Sequence, residues 1–119
     1  MDGKVYRLEQ SYWVRIYISG PIDMIKQVCR EYVLCGLCVT ITPTTYIFSH
    51  GEEEGAMIEL IRYPKYPDSP GDESDCWDVM CELAEFICDN IHQGSYTVMD
   101  PDQAITFDRR KIFALPPED

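Results

Sequence analysis

The 119-residue chain is 45% hydrophobic and 12% aromatic, enough for one buried core, so a single domain over 1–119 is expected, with loose termini at about 1–4 and 114–119. Ten Lys and Arg against 21 Asp and Glu leave a net charge of −11, which argues against direct nucleic-acid binding, because phosphate contacts need clustered cations. No apolar run approaches the ~18–20 residues of a membrane span, and Met1-Asp2-Gly3-Lys4 opens no signal peptide, so a cytoplasmic protein with its six cysteines as thiols is expected.

Residues 4–19 read as a strand, with Tyr12, Val14, Ile16 and Ile18 alternating onto one face and Trp13, Arg15 and Tyr17 onto the other. The first face belongs in the core. The aromatics of the second need a cover, either another subunit or the N-terminal residues. Ser19-Gly20-Pro21 ends the strand, and Pro21 suits the first helical position, where its missing N–H has no intrahelical partner. The helix runs to about Cys35, with Ile22, Ile25, Val28, Cys29, Tyr32 and Val33 as its buried stripe, Asp23 at the positive end and Gly36 as a left-handed cap. Leu37, Val39 and Ile41 alternate with Cys38, Thr40 and Thr42 in a second strand that Pro43 interrupts, and a β-rich run resumes over 44–48, as one bulged edge strand or as two. Residues 49–55 form a polar, glycine-flanked loop and 56–63 another strand, closing an antiparallel hairpin. The proline-rich stretch 63–71 is a surface linker whose tyrosines can pin it down.

Over 74–93 two ladders run together at helical spacing: Trp77, Met80, Leu83, Ala84, Ile87 and Ile91 on one side, and Asp75, Asp78, Glu82, Glu85 and Asp89 on the other. Like charges so spaced cost about 0.2–0.5 kcal/mol per pair, so a single-sign ridge is tolerated. It is the centre of a 43-residue stretch, 66–108, with eleven acids and no Lys or Arg. Ser74 or Asp72 is the expected N-cap, and Gly94 closes the helix. Residues 95–99 follow as a strand, Asp100-Pro101-Asp102-Gln103 as a turn, and 104–107 as a further strand before the basic cluster Arg109-Arg110-Lys111. The order strand, helix, strand, strand, helix, strand predicts an α+β fold, a ferredoxin-like split βαβ sandwich: an antiparallel sheet with two helices on one face and an extra C-terminal strand.

No catalytic signature appears. Cys35-Gly36-Leu37-Cys38 is a C-x-x-C placed where a helix ends, so the dipole works against a thiolate; Cys29, Cys81 and Cys88 lie on or beside apolar stripes, as small hydrophobes do. His50 with Glu52, Glu53 and Glu54 offers nitrogen and oxygen donors for a metal, but a solvated hairpin tip explains the same residues, and His92 is accounted for by a helix end. There is no nucleophile elbow, zinc-protease helix, phosphate-binding loop or dinucleotide fingerprint, so no catalytic residue, metal or cofactor is assigned.

The segments Ser19-Gly20-Pro21-Ile22, Cys29-Arg30-Glu31-Tyr32, Leu37-Cys38-Val39-Thr40, Pro43-Thr44-Thr45-Tyr46, Gly51-Glu52-Glu53 and Tyr63-Pro64 resemble small uncharacterised proteins encoded by phages and prophages of proteobacteria, over roughly residues 12–99. The resemblance brings no site residues. It implies a phage context, in which small acidic proteins often inhibit host machinery, including anti-CRISPR proteins that imitate nucleic-acid charge. The expectation is therefore a non-enzymatic inhibitor in the host-cell cytoplasm. It would engage a basic, nucleic-acid-binding protein through Asp75, Asp78, Glu82, Glu85 and Asp89, with Trp13, Tyr17, Tyr63 and Tyr66 as aromatic anchors. The alternatives are a homo-oligomer, such as a homodimer, built on Trp13, Tyr17 and the Tyr-Pro linker, or a small enzyme or metal protein centred on His50 and Glu52 to Glu54.

Overall fold

The alternation that follows Tyr12 becomes a central strand. In the computed structural model, which describes residues 3, 12–33, 37–61 and 73–108, the elements are β1 (Trp13–Ser19), α1 (Ile22–Tyr32), β2 (Thr40–Phe48), β3 (Gly51–Ile61), α2 (Glu73–Asn90), β4 (Ser95–Met99) and β5 (Ala104–Asp108). The sheet order is β2-β3-β1-β4-β5, with every neighbouring pair antiparallel. This is the ferredoxin-like split βαβ arrangement with β5 added at one edge.

Both helices cover one face. Val14, Ile16 and Ile18 from β1, Ile58 and Leu60 from β3 and Val98 from β4 meet Ile25 and Val28 of α1 and Met80, Leu83 and Ile87 of α2 in one cluster. Each such aliphatic side chain, fully removed from water, contributes about 1.5–3 kcal/mol before entropic costs. The two helices also meet through Tyr32 and Phe86, whose rings lie 5.5 Å apart. No helix among the described residues is long and apolar enough to cross a membrane.

The β2–β3 hairpin departs from the expected loop. Phe48 pairs with Gly51, so the connection is only Ser49-His50, and Glu52, Glu53 and Glu54 are strand residues opposite Ile47, Tyr46 and Thr45. Their charge concealed a strand, because an edge ribbon solvated on both sides shows no alternation. Residues 44–48 continue 40–43 without a break. The Gly20 N–H donates to the Glu54 carbonyl, so alternate residues of β3, Ala56 included, turn their polar groups toward β1. Pro43, opposite Ala56, therefore stands where β2 needs no donor.

The helix ends also differ. Pro21 is the N-cap with extended backbone (φ −64°, ψ 126°), not the first helical residue, and its carbonyl accepts from the Ile25 N–H. The described part of α1 closes on Val33, earlier than Cys35; the expected Gly36 cap lies outside the described residues. α2 begins at Glu73, which puts Ser74 inside the helix and leaves Asp72 outside the described residues. It is closed by His92 rather than Gly94: His92 adopts φ 58°, and the Gln93 N–H reaches back to the Cys88 carbonyl, the bond of a Schellman motif. The strand expected over 4–12, the linker 63–71, the basic cluster and the tail lie outside the described residues, apart from Tyr12, which is buried just ahead of β1.

Candidate functional site

The face of the sheet away from the helices carries no other element among the described residues, and it has chemistry on it. β1 places Trp13, Arg15 and Tyr17 there, and the register brings Glu59 and Met57 of β3 beside them on one side and Met99 and Thr97 of β4 on the other. Arg15 Nε donates to Glu59 Oε2 at 2.7 Å, and the guanidinium carbon lies 4.0 Å from the centre of the Trp13 ring. The Glu59 hydrogen bond, aided by Tyr17 against a little desolvation, holds Arg15 more firmly protonated than an ordinary arginine. A pair this accessible contributes no more than about 1 kcal/mol to folding. It fixes the position of two opposite charges over an aromatic ring.

The strip ends in a cleft of about 190 Å³ lined by Tyr17, Ile18, Ser19, Tyr46, Ser95, Tyr96 and Thr97. Its wall depends on a glycine. A Cβ at Gly55 would stand 2.3 Å from the Ile18 carbonyl oxygen, 2.7 Å from the Ser19 Cα and 2.8 Å from the Tyr46 ring. Only glycine lets the ring of Tyr46 lie over β3, where its hydroxyl donates to the Ala56 carbonyl at 2.7 Å. Burial raises the pKa of Tyr46, against a lowering backbone contact at Ile18 and with a small further rise from Tyr17, so the phenol stays protonated at neutral pH. Nearby, the Thr97 and Thr106 hydroxyls are 3.0 Å apart. The site thus combines the phenol rings of Tyr17 and Tyr46, several hydroxyls and a fixed ion pair, a set suited to a polar ligand with a flat ring and a positive charge.

The sequence-derived candidates fall in different places. Asp75, Asp78, Glu82, Glu85 and Asp89 all sit on the exposed side of α2, away from this face. Trp13 and Tyr17 belong to the strip, whereas Tyr63 and Tyr66 lie outside the described residues. The proposed metal group at His50 does not assemble, because strand alternation sends Glu53 to the face opposite Glu52 and Glu54, and no group of three potential ligands converges among the described residues. Cys35 of the C-x-x-C is outside the described residues; Cys29, Cys38, Cys76, Cys81 and Cys88 form no disulfide. Burial pushes the Cys29 thiol up to about 11, so it packs as a hydrophobe rather than reacting.

No family model and no curated protein matches the sequence. Solved structures do. The chain is similar in fold to a phage SAM lyase. In the apo state that lyase superposes with a TM-score of 0.61 at 14% identity, over 89% of this chain and 96% of the other. A phage SAM lyase in complex with S-methyl-5′-thioadenosine gives a TM-score of 0.58 at the same identity and coverage. At this identity the likeness extends to the fold. It nonetheless corrects the expectation of a non-enzymatic, anti-CRISPR-type inhibitor: these two solved structures, which share nearly the whole architecture, are of an enzyme.

Sequence reasoning missed Arg15 with Glu59, Tyr46 and Gly55 as members of one site. Gly55 carried a usable signal, a glycine beside a β-rich run, which marks close backbone approach as well as a loop. The Arg15–Glu59 pair carried none, since it spans 44 residues and depends on the β1–β3 register.

Proposed function

We propose that this chain is a lyase acting on an adenosyl sulfonium, S-adenosylmethionine, and releasing 5′-methylthioadenosine. The observation that carries the proposal is the near-complete overlap with a phage SAM lyase, and the open-face site supplies chemistry that suits such a substrate. The 190 Å³ cleft has room for a fragment of the ligand, with the phenol rings of Tyr17 and Tyr46 available to the purine and Ser19, Ser95 and Thr97 to the ribose hydroxyls. The rest of the substrate then lies along β1. There the Trp13 ring and the Glu59 carboxylate favour the positive sulfonium and ammonium groups, and Arg15 favours the carboxylate. A net charge of −11 draws a cationic substrate toward the protein and steers it in.

Cleavage without water has a simple balance. The bond between sulfur and the four-carbon fragment breaks, and its electron pair goes to sulfur, which leaves as a neutral thioether. In the same step the carbon that sulfur leaves is either taken by the fragment's own carboxylate oxygen, closing a lactone, or becomes part of a new C=C bond as the neighbouring carbon gives its proton to a carboxylate base, Glu59 being the one at the site. Neither route needs a protein nucleophile, in keeping with a chain that carries no nucleophile-and-base motif. The protein's part is to hold the folded substrate against a preset charge pattern. Such a substrate is a cytoplasmic metabolite, so this activity would operate in the cytoplasm, of the host cell if the protein is phage-encoded.

Incubating purified protein with S-adenosylmethionine and following products by mass spectrometry tests the reading. Methylthioadenosine and a four-carbon amino-acid product should accumulate together. Glu59→Gln and Tyr17→Ala should each slow the reaction by about tenfold or more, the scale of losing one electrostatic or positioning group. Failure of the wild-type protein to exceed the spontaneous rate overturns the reading.

A further inference from the structure

A second, larger cleft than that of the open face lies on the other side of the sheet. α1 packs against β3, and α2 packs against β1 and β4, so among the described residues no helix is centred over the helix-side face of the edge strand β2. The resulting cleft, about 520 Å³, is of the size that takes small organic molecules, about 300–1,000 Å³. Its floor is Cys29, Leu37, Val39 and Ile41, and its rim carries Lys26 and Arg30, one helical turn apart on α1. No carboxylate, amide or hydroxyl side chain lines it among the described residues.

The two cations are the informative feature. The chain holds 21 acids against ten bases, yet neither Lys26 nor Arg30 forms an ion pair with a described residue, whereas Arg15 pairs with Glu59. Asp23 and Glu31 are their neighbours on the same helix and are not engaged by them. Two unengaged cations at the mouth of an aliphatic cleft complement a ligand with one anionic head and an apolar chain. We propose that this cleft is a second binding site, separate from the open-face site, for a medium-chain aliphatic carboxylate. The head would sit between Lys26 and Arg30 and the chain over Val39 and Ile41. An aliphatic body is favoured over an aromatic or polar one because the floor offers only aliphatic groups and thiols, with no ring to stack on and no polar group to read.

Titrating isotope-labelled full-length protein with sodium octanoate, and separately with 1-octanol, tests this by NMR. Octanoate should shift the resonances of Cys29, Val39 and Ile41 while leaving Tyr17 and Thr97 in place. The double variant Lys26→Gln, Arg30→Gln should bind octanoate about tenfold more weakly yet bind octanol as the wild type does, since each partly solvated charge contact is modest and the apolar floor is untouched. The proposal fails if octanoate leaves those three resonances unmoved up to its solubility limit. It fails equally if the double variant binds octanoate as tightly as the wild type.

Discussion

Asp100 is the only buried charged residue among those described, and its partners explain how it stays ionised. Burial alone would raise its pKa. The Asp102 and Gln103 N–H groups at 2.8 and 2.9 Å and the Tyr12 hydroxyl at 3.1 Å outweigh that, and the pKa falls below its ordinary 3.8. A carboxylate with a depressed pKa contributes stability that is present above its unfolded value and lost as the pH falls through its folded value. Asp100→Asn should therefore cost about 2 kcal/mol near neutral pH, the scale of hydrogen bonds to a charged group, with the gap from wild type closing below about pH 4. Urea unfolding of both proteins at pH 7 and pH 3 measures the gap; an equal difference at both values would show that the charge is not what matters. Because Tyr12 precedes β1 and Asp100 follows β4, this one side chain ties the start of the central strand to the turn before β5.

Among the elements, α2 ends under strain that the sequence did not advertise. His92 occupies the left-handed region that glycine fills more cheaply, while Gly94, which looked like the cap, stands two residues further on. The left-handed conformation costs a residue with a Cβ about 1–2 kcal/mol, partly offset by the extra freedom glycine has in the unfolded chain. His92→Gly should thus stabilise the protein by about 0.5–1 kcal/mol, seen as a higher urea midpoint with an unchanged slope; a lower midpoint would mean that the imidazole makes a compensating contact. The elements themselves were legible wherever one face is buried and the other wet. β1 and α2 follow from their periodicities, and the turn at Asp100 follows from its residues. The hairpin of β2 and β3 was legible only in its inner part, because beyond Gly55 it is exposed on both faces, with Ile47 78% accessible and Glu52 to Glu54 in ladder positions. A pattern that reflects burial cannot report a strand that buries nothing.

For the whole molecule, the acidic helix face and the candidate site lie on opposite sides of the sheet. The sequence's most conspicuous property, the acidic ridge of α2, lies on the exposed side of that helix. Net charge reports the field around a protein and its solubility, not the location of its chemistry. The site is assembled from β1, β2, β3 and β4, so it exists only once the strand order β2-β3-β1-β4 is set, and single-residue patterns do not carry strand order. The α+β class and the ferredoxin-like order were legible from the succession of elements; the pairing of Arg15 with Glu59, and of Tyr46 with the end of β1, was not. The most direct test is to titrate the labelled protein with 5′-methylthioadenosine and map the perturbed residues. Saturable shifts at Tyr17, Ser19, Tyr46, Ser95 and Thr97, with the exposed face of α2 unmoved, are expected. Shifts confined to α2, or none at all, would contradict an adenosyl site on the open face of the sheet.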